Sequence, residues 1–393
     1  MALHPDICIR GSGIVGRTLA LLLAREKLNV ALVEAPAQPS VADVRAYSLN
    51  GAAMALLQDL RCWPDSPDVT PVHRMQIWGD QGGQLNFGAQ AQGVGELNWM
   101  VDVPALEKRL AQAVQFQPHI EVVNAPVADP LTVVCEGRAS QTRAELGVGF
   151  EVTHYEQHAV ATRLVCELPH QGVARQWFGW SAVPGLSQPQ AEILALLPLG
   201  GEGGSEVALV WSVHPLRAKT LMALEAEAFA LELSKACGLA LGHKTVSAPR
   251  AEWPLQLARA ERWTGNMPGT TQQSFALAGD AAHAIHPLAG QGLNVGLADV
   301  AELVRVIKTK EFWRPLNDLK LLRRYERARQ ADVKAMGLVT DGLQRLFAQP
   351  SPLWQQLRNW GMTGFDRSGP LKNWMAQQAM GQTTHSTSGT GSR

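Results

Sequence analysis

Apolar and polar positions along this chain follow two periods. Asp6 to Ile9 and Asn29 to Val33 are short, nearly continuous apolar runs, and between them Leu19, Leu22 and Leu23 recur at helical spacing. This predicts strand, helix and strand within about 30 residues, the order of a parallel β-α-β unit. Leu131 to Cys135 and Ser274 to Ala278 predict two more buried strands, and a helix is expected from about Leu293. His73 to Phe87, with a turn at Asp80-Gln81-Gly82-Gly83, reads as paired strands. His158 to Leu168, Gln176 to Ser181, Glu192 to Leu199 and Glu206 to Val213 complete a mostly antiparallel sheet. Met222 to Cys237 predicts one amphipathic helix, and the chain from about 311 onward is expected to be helical as far as a polar tail.

The predicted fold class is therefore α/β. A discontinuous Rossmann-like nucleotide-binding domain (1–70, 101–150 and 255–310) carries an inserted, mostly antiparallel β-sheet substrate domain (71–100 and 151–254). A C-terminal helical region (311–381) and a disordered tail (382–393) follow. Among the 393 residues, 46% are hydrophobic and 18% charged, which excludes a disordered chain; 35 Lys+Arg balance 35 Asp+Glu, so nucleic acid is not an expected partner. Five scattered cysteines without a C-x-x-C pair indicate neither a disulfide framework nor a zinc site and suit a reducing cytoplasm. No apolar run reaches the ~18 to 20 residues of a membrane span, and Met1 to Asp6 has no signal-peptide character.

Candidate chemistry concentrates in two glycine-rich stretches. In Gly11-Ser12-Gly13-Ile14-Val15-Gly16 the first glycine permits a tight turn, Gly13 lets backbone approach a pyrophosphate, and Gly16 allows helix to pack on strand. Glu34, at the end of the second strand, is placed to hold ribose hydroxyls. This motif indicates a dinucleotide but does not separate FAD from NAD. The second stretch is Gly279-Asp280-Ala281-Ala282-His283-Ala284-Ile285-His286-Pro287-Leu288-Ala289-Gly290-Gln291-Gly292-Leu293-Asn294. Asp280 can accept hydrogen bonds from a sugar-like chain, and Gly290 to Asn294 offer backbone N–H groups at a helix start, suited to a developing anion.

Other groups invite blander readings. His283 and His286 have i, i+3 spacing, but Pro287 and the glycines argue for a loop and no further ligands are evident, so no metal site is expected. Trp177, Trp180, Trp211 and Trp253 suit a core better than an aromatic pocket. Lys320, Arg323, Arg324, Arg327, Arg329 and Lys334 read as a solvated helix face. Trp354, Leu357, Trp360, Met362, Phe365, Trp374 and Met375 form an aromatic segment that either docks on the protein or rests on a bilayer surface.

The second stretch resembles the second FAD motif of the class A flavoprotein aromatic hydroxylases, and His286 to Asn294 with Asp299 resembles their ubiquinone-biosynthesis hydroxylase branch. Arg45-Ala46-Tyr47-Ser48-Leu49-Asn50 and Asp341-Gly342-Leu343-Gln344-Arg345-Leu346-Phe347 extend the resemblance over all but the tail. It implies that Asp280, after Gly279, contacts the ribityl chain, that Pro287, Gly290, Gln291, Gly292, Leu293 and Asn294 wrap the flavin, and that Arg45 lies beside it. It further implies FAD as cofactor, NAD(P)H as electron donor, and a flavin C4a-hydroperoxide that transfers oxygen to the ring of a polyprenylated phenol. Other ubiquinone-biosynthesis proteins, and a peripheral position at the inner face of the membrane, belong to the same expectation.

Two departures qualify it. Glu136 stands where the middle motif commonly has aspartate, in Val134-Cys135-Glu136-Gly137-Arg138-Ala139-Ser140-Gln141-Thr142-Arg143, and the segment leading to it is short. Val103-Pro104 occupies a position usually polar or basic. The alternatives are a flavin-binding scaffold subunit of a biosynthetic complex and a hydroxylase of small soluble aromatics, the latter needing a cation in the pocket. No side chain is identified as a general base.

Overall fold

A computed structural model describes residues 4–34, 44–80, 82–284 and 292–348, with side chains described as far as 334. The glycine-turn unit forms as its pattern predicts: strand Ile7–Arg10, helix Ile14–Arg25, strand Val30–Val33, with Ile7 opposite Val30 in parallel register. These strands sit in a six-stranded sheet ordered Thr264–Asn266, Ser274–Leu277, Leu131–Val134, Ile7–Arg10, Val30–Val33, Ile120–Val123. The sheet is parallel apart from Thr264–Asn266 at one edge. Its inner strands are buried on both faces, which explains their unbroken apolar runs. Helices Ile14–Arg25, Val103–Gln115 and Gly292–Lys308 share one core with it, around Ile9, Leu23, Leu110, Phe275 and Val300.

The second sheet has nine strands. In order they are His283–Ala284, Ala251–Ala260, Phe150–Cys166, Glu206–Val213, Gln190–Pro198, Val173–Ser181, Arg74–Trp78 and Gln84–Gly88, with Lys244–Val246 also paired to Phe150–Cys166. All pairs are antiparallel except Val173–Ser181 with Arg74–Trp78. One face packs on helices Pro215–Ala223 and Ala226–Cys237 through Val160, Leu209, Trp211, Phe229 and Leu233. The other turns toward the six-stranded sheet and a three-stranded sheet of Ala46–Leu49, Asn98–Asp102 and Val69–Val72.

Several expectations need correction. Met222 to Cys237 is not one helix: Leu224 is extended (ψ 147°) and separates two helices. The apolar period carries across the break and hides it. The strand expected to begin at His158 begins at Phe150, through a largely exposed stretch in which Phe150, Val152 and Tyr155 keep no single alternation. Ala251–Ala260 runs through the expected boundary at 255, and His283–Ala284 joins the second sheet rather than the first. Among the described residues no helix is long and apolar enough to cross a membrane. The aromatic segment beyond 348 and the tail lie outside the described residues.

Candidate active site

The three glycines of the first motif do different work. Gly11 has φ +110°, and a Cβ on it would lie 2.6 Å from Cys135 O. A Cβ on Gly16 would lie 1.9 Å from Gly11 O, so helix and turn touch backbone to backbone. Gly13, with φ −73°, caps Ile14–Arg25 without a side-chain hydrogen bond, and a Cβ on it would meet nothing within 4 Å. The open N–H groups of the first turn face a cavity of about 760 Å³ lined by Gly13, Ile14 and Val15, an arrangement suited to an anion. Glu34 follows Val30–Val33, anchored by its N–H to Val123 O at 2.9 Å. Its half-exposed carboxylate accepts from Arg17 Nη2 at 2.9 Å through Oε1, leaving Oε2 for a ligand hydroxyl.

The same cavity reaches Gly279 and Asp280. Gly279 has φ +62° and donates its N–H to Asp299 Oδ2 at 2.9 Å. Half of the Asp280 side-chain surface faces the cavity, and Arg138 Nε lies 4.0 Å from its carboxylate. The surrounding protein raises the Asp280 carboxyl above the ordinary range, against the pull of His283, Arg138 and Arg45. Arg45 also lines the cavity, with Nη1 3.3 Å from Tyr47 Oη.

Beneath this turn lies a buried ionic cluster. Asp299 accepts from His283 Nε2 at 2.6 Å and Arg329 Nε at 2.8 Å. Burial would raise its pKa, but His283 and Arg329 outweigh it and hold the carboxyl below its ordinary value. Arg329 is only 6% exposed, which corrects its placement on a solvated face. Of its two acidic partners, Asp332 lies three residues downstream at 2.7 Å, but the buried one, Asp299, lies 30 residues upstream, beyond the reach of local charge patterning. His283 spends a ring nitrogen on Asp299, and among the described residues no group of three His, Cys, Asp or Glu could hold a metal ion.

Gly292 and Leu293 line the cavity from the first turn of Gly292–Lys308. The Asn294 side chain is already engaged: Oδ1 accepts from Asn50 N–H at 3.0 Å and Nδ2 donates to Ser48 O at 2.7 Å, so only its backbone is left to meet a ligand. His286, Pro287, Gly290 and Gln291 lie outside the described residues.

In the middle motif, Gly137 and Arg138 reach the cavity while Glu136 turns into the protein. Its carboxylate accepts from Ser140 Oγ at 2.7 Å and from Thr142 N–H and Oγ1 at 3.1 and 2.6 Å, ordering the turn into helix Gln141–Glu145. Arg143 is buried over the Phe150 ring at 3.5 Å and donates to Ala281 O at 3.1 Å. The motif thus braces the Gly279–Asp280 turn, a role that sequence spacing does not reveal.

The far wall of the cavity is the second sheet. Cross-strand register places Ala161, Val210, Ala195 and Gln176 in one row and Ala159, Ser212, Ile193 and Phe178 in the next. Val160, Leu209, Trp211 and Leu194 pack on the helical face, so by strand alternation these rows face the cavity. Neither row contains a charged side chain. Of the four tryptophans, Trp211 is fully buried core and Trp177 stacks on Trp78 at 4.8 Å, whereas Trp253 lines this cavity and Trp180 a second one.

Residues 123–337 match the family described as FAD binding domain. The chain is 31% identical to "Ubiquinone hydroxylase UbiL" of Rhodospirillum rubrum, over 96% of this chain and 89% of that protein. It is 29% identical to "3-demethoxyubiquinol 3-hydroxylase" of Escherichia coli, over 96% and 98%. Among solved structures, p-nitrophenol 4-monooxygenase PnpA from Pseudomonas putida superposes with a TM-score of 0.70 at 16% identity, covering 97% of each chain. PqsL of Pseudomonas aeruginosa does so with 0.71 at 19% identity, covering 92% of this chain and 100% of the other. These structural likenesses concern the fold.

Proposed function

The chain belongs to the FAD-binding monooxygenase family, and we propose that it hydroxylates the ring of a polyprenylated phenol in ubiquinone biosynthesis, using NAD(P)H and O2. The cradle at Gly13, where a Cβ would find open space, fits a dinucleotide pyrophosphate on the helix N-terminus. Glu34 Oε2 is free to accept from ribose hydroxyls, and Asp280 from the ribityl chain. When bound, FAD supplies electron transfer from NAD(P)H and the activation of O2.

The remaining work falls to the protein. Backbone N–H groups at Gly292 and Leu293, on a helix N-terminus that lines the cavity, would stabilise negative charge developing on a bound flavin. Arg45 and Arg138 add positive charge at the Asp280 end of the cavity. Apolar walls from Val210, Ile193, Leu197 and Met100 exclude water from the reacting centre.

One observation carries the choice of substrate: the two uncharged rows of the sheet wall, beside which Arg175 lines the cavity with its Nη1 already donated to His170 O and Val173 O, so that the wall offers a neutral ring a better surface than a carboxylate. The test is product analysis with NAD(P)H, O2 and a panel of phenols. Hydroxylation of prenylated phenols in preference to aromatic acids is expected, and preferential turnover of a small aromatic acid would overturn the reading.

A further inference from the structure

Beyond the Ile193–Phe178 row the same sheet face continues into a second cavity of about 240 Å³. Trp180 stands opposite Ala191 in the next row, two residues further along each strand, and both line this cavity. Ile193 lines both cavities and forms the boundary between them. Two rows separate Gln176 from Trp180, a distance of about 14 Å at the rise of a strand. The two cavities therefore meet at Ile193, the second reaching round the strand ends to Gln190, Glu192 and His214 as well.

One side of the second cavity suits a hydrocarbon, and the other is polar. Phe178, Trp180, Ala191 and Ile193 give it flat apolar surfaces. Most of its polar groups are committed within the protein: Trp180 Nε1 donates to Asp80 Oδ2 at 2.9 Å, Gln157 Nε2 to Ala191 O at 3.1 Å and Gln190 Nε2 to Gln188 O at 3.0 Å, and His214 Nδ1 accepts from Leu216 N–H at 3.2 Å, while Glu156 is exposed at the rim. Glu192 turns toward the helical face, where Ser181 Oγ and Trp211 Nε1 donate to it. Among the described side chains of the wall, Gln157 Oε1 is the buried acceptor without a partner.

We infer that the second cavity is a subsite for the isoprenoid tail of a substrate whose ring lies in the first. The inference rests on the substrate reading above and adds where the tail runs: along the sheet face, past Ile193, between Phe178 and Trp180. Tail recognition is then separable from ring chemistry, because Ala191 and Trp180 line the second cavity and not the first.

The test compares one phenol with and without a geranyl chain, in the FAD-loaded parent enzyme, in Ala191→Trp, which fills the subsite, and in Trp180→Ala, which removes a wall. In the parent the geranylated phenol has the lower KM. Ala191→Trp raises that KM by about tenfold, the effect of displacing a few buried methylene groups, while turnover of the tail-less phenol stays unchanged and reports an intact fold. Trp180→Ala shifts the KM in the same direction, which covers the case in which Ala191→Trp does not fold. Equal KM values for the two phenols in the parent, or variants that leave the geranyl preference intact, would overturn the subsite alone. An FAD-loaded parent that hydroxylates neither phenol would overturn the substrate reading beneath it.

Discussion

Gly13 and Gly16 lie three residues apart, yet one leaves space for a ligand and the other for the chain itself. Gly13→Val is expected to yield a folded protein that purifies without FAD, because its Cβ enters the open cradle without meeting a protein atom within 4 Å. Gly16→Val forces the helix off Gly11 O and is expected to destabilise the fold by upwards of about 1–3 kcal/mol, visible as a lower Tm of the apoprotein. Matching behaviour in the two variants would contradict this division. Asp280→Ala is expected to weaken FAD retention with little change in apoprotein Tm, and unchanged flavin content would remove its ribityl role.

Asp129 makes a pH prediction. Burial raises its carboxyl from 3.8 to about 7, against hydrogen bonds from Cys8 and Thr132 and the charge of Arg10. Between those values the unfolded chain gives up a proton that the folded chain keeps, so stability falls as pH rises through the window, and the full deficit is present above it. Asp129→Asn is thus expected to stabilise by on the order of 2–4 kcal/mol at pH 8 and by almost nothing at pH 4. Equal shifts in Tm at both pH values would contradict the assignment. The motif glycines were legible as residues because their spacing is local. The inward turn of Glu136, the side-chain partners of Asn294 and the burial of Arg329 were not, since each depends on a contact made only after folding.

Among elements, the helix Gly292–Lys308 connects the most parts of the site. Its first turn faces the cavity, and Asp299 within it ties the Gly279 turn to Arg329 of the helix Leu319–Ala348. Asp299→Asn leaves Arg329 and His283 buried beside a neutral group and is expected to cost about 3–5 kcal/mol, measured by denaturant unfolding of the apoprotein. A cost below about 1 kcal/mol would mean that the cluster is not a brace. Strands buried on both faces, such as Leu131–Val134, were readable as apolar runs of the right length. The split at Leu224 and the early start of Phe150–Cys166 were not, because an apolar period can cross a helix break and the largely exposed stretch before His158 keeps no single period.

In the whole molecule, the six-stranded and nine-stranded sheets, with separate cores, enclose a cavity whose ends bring together Gly13, Asp280 and the rows around Ile193. The mixed α/β architecture was legible from the order of the two periods. The chemistry of the sheet wall was not, because which side chains share a row depends on a register that the sequence does not state. The account as a whole stands on one use of that cavity: FAD at the glycine end and a phenol on the sheet. The most direct test is the anaerobic absorbance spectrum of the purified protein, recorded before and after addition of NAD(P)H, with and without a prenylated phenol. The account predicts a flavin spectrum that bleaches, and bleaches faster with the phenol present. A protein that cannot take up FAD, or a bound flavin that NAD(P)H never reduces, would contradict it.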